Sequence, residues 1–249
     1  MQKRIAVAAW LLLASAVLAE NPLTVDEVLA FANAKMAGCQ TWSAEFAETM
    51  SADGEALRGR TMFKAPRCTR TETRMPSATI PNTVLVIVDK NNIQWQEMTF
   101  ENQKQVVRTN LGASSNNTAA VSGPAAQWET NQRLMKCRLA QGAVLDGKPV
   151  WVVVSTWKEE AFRDPSVATQ AAFADTLRFY INQTDGFAHR VEYLRDKRLV
   201  KRLDYTLVRF NEKLDDALFT YSPPPGASVI EINRIAQEAL RHSGMQLPP

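Results

Sequence analysis

The chain has 249 residues, with 29 Lys+Arg against 26 Asp+Glu and two histidines. This length buries a substantial core without structural metals or a disulfide framework, and so even a charge balance provides no basic footprint for nucleic acid. Three cysteines, Cys39, Cys68 and Cys137, form no C-x-x-C pair and suit no zinc site, so no metal and no other cofactor is expected.

Residues 1–19 read as a cleavable signal peptide. Lys3 and Arg4 supply the charged start, Ile5 to Leu13 the apolar run, and Val17-Leu18-Ala19 the small-residue cleavage site. The run is shorter than the ~20 apolar residues of a spanning helix. No cysteine stands at the cleavage site, so lipoprotein-type modification is not expected. The expected product is residues 20–249, one domain, soluble in the periplasm. Lys3 and Arg4 leave with the peptide, so 29 basic residues become 27 against 26 acidic. An oxidising compartment permits one disulfide with one thiol left over. Cys68 with Cys137 is the preferred pair, with Cys39 buried at the end of the first helix; three buried thiols are the alternative.

The mature chain opens with a helix. Thr24 and Glu27 form a capping-box pair, Val25, Val28, Leu29, Ala32 and Met36 line one face, and Gly38 ends it. From Cys39 the period changes to two. Trp42–Met50, Leu57–Lys64, Cys68–Met75, Val84–Val88, Ile93–Phe100 and Gln105–Thr109 read as strands of an antiparallel meander, with turns at Asp53-Gly54 and Asp89–Asn92. Leu111–Pro124 reads as a loop, and Pro124 to Gln141 as a second helix. Pro149–Trp157 returns to the sheet. After a short helical insertion at Asp164-Pro165, strands are expected at Leu177–Asn182, Ala188–Leu194, Arg198–Phe210 and Leu218–Tyr221. Asp185-Gly186 turns the first two of these as a hairpin. Ser228 and Glu231 suggest a terminal helix through Leu240. The fold class is mainly β with helices: one large curled antiparallel sheet, an incomplete barrel, covered by helices.

Catalytic signatures are missing. There is no G-x-S-x-G, H-E-x-x-H or phosphate-binding glycine loop. His189 sits mid-strand, and Glu159-Glu160 has the look of a solvated pair. No catalytic residue is assigned and enzymatic activity is not expected.

Several segments, in order, resemble the LolA superfamily of periplasmic carriers of outer-membrane lipoproteins. They are Trp42-Ser43-Ala44-Glu45-Phe46, Phe63-Lys64-Ala65-Pro66, Val86-Ile87-Val88-Asp89 through Ile93 and Trp95, and Phe219-Thr220-Tyr221-Ser222-Pro223-Pro224-Pro225-Gly226-Ala227-Ser228-Val229-Ile230. The resemblance implies a half-barrel lidded by helices, whose apolar cavity accepts acyl chains. Phe46, Met62, Trp95, Met98, Trp151, Phe179 and Tyr205 are the expected cavity residues, with Trp128, Met135 and Ala65 at the lid. Ala65 stands where the carrier has a lid-holding arginine, which leaves apolar contacts, Arg67 or Arg70 to hold the lid here. The implied partner is an acylated lipoprotein or a lipid. It would be taken from an inner-membrane donor to an outer-membrane acceptor by a monomeric protein. The alternatives are an envelope sensor or scaffold whose barrel is filled by its own side chains, and an enzyme with an unrecognised site.

Overall fold

The computed structural model describes residues 23–50, 54–75, 82–100, 103–111, 132–163 and 165–232. Helix α1, Val25–Ala37, starts at the capping box. The Thr24 N–H donates to Glu27 Oε2 at 2.7 Å, and the Glu27 N–H donates to Thr24 Oγ1 at 3.3 Å. Two N–H groups that the first turn cannot pair internally are thereby satisfied. Val28, Leu29, Ala32 and Met36 share one face, and all are buried.

Among the described residues thirteen strands form one sheet. The first six are β1 (Thr41–Met50), β2 (Leu57–Lys64), β3 (Cys68–Arg74), β4 (Thr83–Val88), β5 (Ile93–Phe100) and β6 (Gln103–Asn110). Then come β7 (Met135–Leu139), β8 (Ala143–Leu145), β9 (Lys148–Trp157), β10 (Thr176–Asn182), β11 (Ala188–Arg195), β12 (Arg198–Phe210) and β13 (Ser228–Ile232). Their order is β13-β6-β5-β4-β3-β2-β1-β12-β11-β10-β9-β7, with β8 also on β9. All pairs are antiparallel except β13 with β6. The pairing of β1 with β12 joins two meanders, and a sheet of this breadth curls. Helix α2, Pro165–Phe173, precedes β10.

Directly opposed residues on neighbouring strands point to the same side, so the register sorts the sheet into two faces. On one, Met135, Val153, Leu177, Phe179, Ile181 and Val191 pack with Val28, Leu29 and Ala32 of α1 in a single buried cluster. Each of these side chains larger than alanine contributes roughly 1.5–3 kcal/mol by leaving water. This is the helix face. The other carries the segment 211–227, which runs back across β2–β6, and is called the strap face.

Three expectations change. The second helix does not extend to Gln141: residues 132–134 make a helical turn and Met135–Leu139 is strand β7, paired with β9. Met135, Cys137 and Leu139 pack towards α1 while Lys136 and Arg138 are exposed, so a period of two prevails over the helical one. Met135 is therefore a core residue under α1 and not part of a helical lid. The terminal helix does not begin at Ser228. Val229, Ile230 and Ile232 suit a strand, and Glu231 pairs with Arg108 across β13–β6 at 2.9 Å instead of capping a helix. Leu218–Tyr221 is not a strand, since Asp216–Phe219 forms a 3-10 turn capped by Asp215. The expected signal peptide, most of the expected loop from Leu111, Trp128, Asp53 and residues 233–240 lie outside the described residues.

Candidate functional site

The helix face has two unlike halves. Over β7 and β9–β12 it is filled. Besides the α1 cluster, Phe187 sits edge-on to Tyr205 and Phe210 at 5.3 and 5.8 Å between ring centres, and 5.4 Å from the Trp42 ring. Phe187 reaches these rings from the β10–β11 hairpin, where Gly186 has φ +73°. That turn presses on α1, because a Cβ at Gly186 would meet Ala32 Cα at 3.1 Å. A Lys201–Glu48 ion pair at 2.9 Å, with Lys201 over the Tyr193 ring, lies beside this filled half.

Over β2–β6 the helix face contains no ionisable residue. Register places Leu57, Gly59, Thr61 and Phe63 of β2 there, then Thr69, Thr71 and Thr73 of β3. Val84, Val86 and Val88 follow on β4, Gln94, Gln96, Met98 and Phe100 on β5, and Gln103, Gln105, Val107 and Thr109 on β6. Every charged residue of these five strands points to the strap face. Val84, Val86, Gln96, Phe100 and Val107 are only half-buried, whereas Phe63 and Met98 are buried. Thr61 and Thr71 hydrogen-bond each other through their hydroxyls at 3.1 Å. Phe46 borders this half, its ring so close to Gly59 that a Cβ there would meet Phe46 Cζ at 2.5 Å. The Trp42 indole N–H, also on this face, is buried and has no hydrogen-bond partner among the described residues.

The strap face of the same strands is covered in part by the chain's own residues. Lys64 Nζ donates to Leu214 O at 2.9 Å and pairs with Asp216. Arg70 Nη1 donates to Leu218 O at 3.0 Å. Tyr221 donates its hydroxyl to Glu97 Oε2 at 2.6 Å and sits 5.4 Å from Trp95, which Arg108 also covers. Burial opposes the charge on Glu97, but hydrogen bonds from Lys104 and Tyr221 outweigh it and hold the carboxyl below its ordinary value. Burial, with the bond to Glu97, pushes the Tyr221 phenol well up.

The expected cavity residues therefore divide. Phe46, Met98, Trp151, Phe179 and Tyr205 lie on the helix face, with Trp151 and Phe179 inside the part filled by α1. Met62 and Trp95 point the other way: Met62 stands opposite Arg70, and Trp95 opposite Ile87 and Arg108. Ala65 is in the β2–β3 turn, its N–H donating to Gln40 O at 2.8 Å, just beyond α1. Of the two arginines weighed as lid holders, Arg70 holds the strap. The Cys68–Cys137 disulfide is not present: all three thiols are free, with Cys68 on β3 and Cys137 on β7, far apart in the strand order. Cys137 Sγ lies 3.3 Å from Ser155 Oγ, and burial raises all three thiols above their usual range. His189 Nε2 contacts Asp185 Oδ2 at 2.9 Å within the hairpin turn. Among the described residues no group of three or more His, Cys, Asp or Glu is placed to hold a metal, and no helix is long and apolar enough to cross a membrane.

No protein-family model matches the sequence, and no curated protein matches it. In structure the chain is similar to an uncharacterized conserved protein from Thermus thermophilus, at 15% identity over 83% of this chain and 98% of that one, with a TM-score of 0.55. It also matches lipoprotein LppX of Mycobacterium tuberculosis, at 13% identity over 77% of this chain and 98% of that one, TM-score 0.45. A LolA superfamily protein from Nitrosomonas europaea matches at 14% identity over 80% and 98%, TM-score 0.37. The first likeness shows a shared fold and no activity; the other two are too distant to carry more. The large curled sheet with α1 packed on one face is the architecture expected from the sequence.

Proposed function

We propose that this protein is a non-enzymatic binding protein of the cell envelope, which holds an acyl chain of a lipid or lipoprotein against the helix face of β2–β6. The observation that carries this reading is the segregation of charge. Nine charged residues on these strands all take the strap face, and the helix face keeps only apolar and uncharged polar groups, several half-buried. Placing acyl methylenes there contributes ~0.8 kcal/mol each, and no ion has to be stripped of water in return. The threonine and glutamine side chains and the Trp42 N–H offer hydrogen bonds to neutral acyl linkages. Residues 1–19 would export the chain to the periplasm, where a monomer shuttles its cargo from an inner-membrane donor towards an outer-membrane acceptor.

The filled half under α1 favours a second reading, an envelope sensor or scaffold that needs no lipid. Mass spectrometry of organic extracts from protein purified natively from periplasm separates the two. A stoichiometric acyl lipid is the expected result; lipid-free protein that also fails to take up an acyl probe would favour the scaffold.

A further inference from the structure

The strap covers only one end of the strap face on β2 and β3, the end that carries Lys64 and Arg70. The other end carries Arg58, Arg60 and Arg74, all exposed, and none forms an ion pair among the described residues. Arg58 stands directly opposite Arg74. Like charges directly opposed across antiparallel strands cost stability, so the fold gains nothing from this pair. The acidic groups around it are largely engaged. Glu72, opposite Arg60, is bonded to Arg70. Asp204, next in line beyond Ala47, is shared by Arg190 and Arg202. Glu192 is bonded to Arg178 at 2.9 Å. Among the described residues Glu45, opposite Arg60 on β1, and Glu55, just before β2, form no ion pair.

We propose that Arg58, Arg60 and Arg74 form a docking surface for the phosphate headgroups of an anionic membrane. The chemistry favours phosphate because all three exposed cations are guanidinium groups, whose forked donors fit phosphate oxygens better than an ammonium does. It favours a headgroup layer over a single soluble anion because the three stand in the open on adjacent strands, with no pocket wall around them among the described residues. A phosphate drawn between Arg58 and Arg74 would also relieve their repulsion. The whole chain is close to neutral, so the attraction belongs to this patch and not to the overall charge. The surface is on the opposite side of the sheet from the proposed acyl site, and the inference stands whether or not that site binds lipid.

The test is co-sedimentation of the mature protein with vesicles of phosphatidylglycerol mixed into phosphatidylcholine, against vesicles of phosphatidylcholine alone. Binding to the anionic vesicles only, weakened by salt, is expected. The Arg58→Gln/Arg74→Gln variant should bind about thirty-fold more weakly, from roughly a five-fold contribution per cation near such a surface. Its melting temperature should be unchanged or higher, since the opposed pair stabilises nothing. A control, Lys136→Gln/Arg138→Gln on β7, should bind as the wild type does. The inference is overturned if the wild type ignores anionic vesicles, if the arginine variant binds undiminished, or if the control loses binding equally. Capture of the protein by an acidic polypeptide but not by vesicles would overturn it in favour of a protein partner.

Discussion

Trp95 is the residue whose meaning changes most between sequence and structure. Its place in a strand was legible, but its face was not, because apolar residues occur on both sides of β4 and β5 and the strap that buries one side comes from over a hundred residues later. Trp95→Glu should therefore destabilise the fold by about 2–4 kcal/mol, read as a fall in the denaturation midpoint, while the folded fraction still binds an acyl probe. Loss of binding with unchanged stability would return Trp95 to the ligand side. Gly59 had no sequence signal at all, since its role depends on the Phe46 ring and the Glu72 carbonyl pressing against it from neighbouring strands. Gly59→Ala should destabilise, as a Cβ would lie 2.2 Å from Glu72 O, and thermal melting checks it. The capping box was legible because it is local: Thr24→Ala should cost about 1 kcal/mol and is measured the same way.

At the scale of elements, α1, β2, β5 and β12 were readable almost to the residue, since each has its own period and its own stop. The strands β7 and β13 were not. Each joins a sheet edge only because a distant strand offers free backbone groups, and each carries a local pattern that also suits a helix. The strap is the element with the clearest pH response. Glu97 and Asp216 both titrate below their ordinary values, Asp216 because Lys64 donates to it. A carboxyl lowered on folding contributes stability that is present above its unfolded pKa and is lost as pH falls through the folded one. Tyr221, raised on folding, contributes stability that is present below its unfolded value of about 10 and is lost as pH rises through the folded one. Amide exchange in 211–227 should thus be slowest near neutrality and faster than intrinsic trends predict at both acid and alkaline extremes. A flat protection profile would mean that these bonds do not hold the strap.

For the molecule as a whole, one sheet carries a charge-free face on β2–β6, the proposed acyl site, and on the other side a charged face that the strap covers in part. Alternation on single strands announced a two-faced sheet, but only the register shows that the uncharged sides of five strands coincide. The most direct test is a titration with a fluorescent acyl probe using two substitutions on β4. Val86 is half-buried on the helix face, and Thr83 is exposed on the strap face. An acyl chain cannot share its surface with an unpaired carboxylate without a large desolvation cost. Val86→Asp should abolish probe binding in a protein that remains folded, while Thr83→Asp should bind as the wild type does. Undiminished binding by Val86→Asp, or equal loss in both variants, would contradict the proposed acyl site.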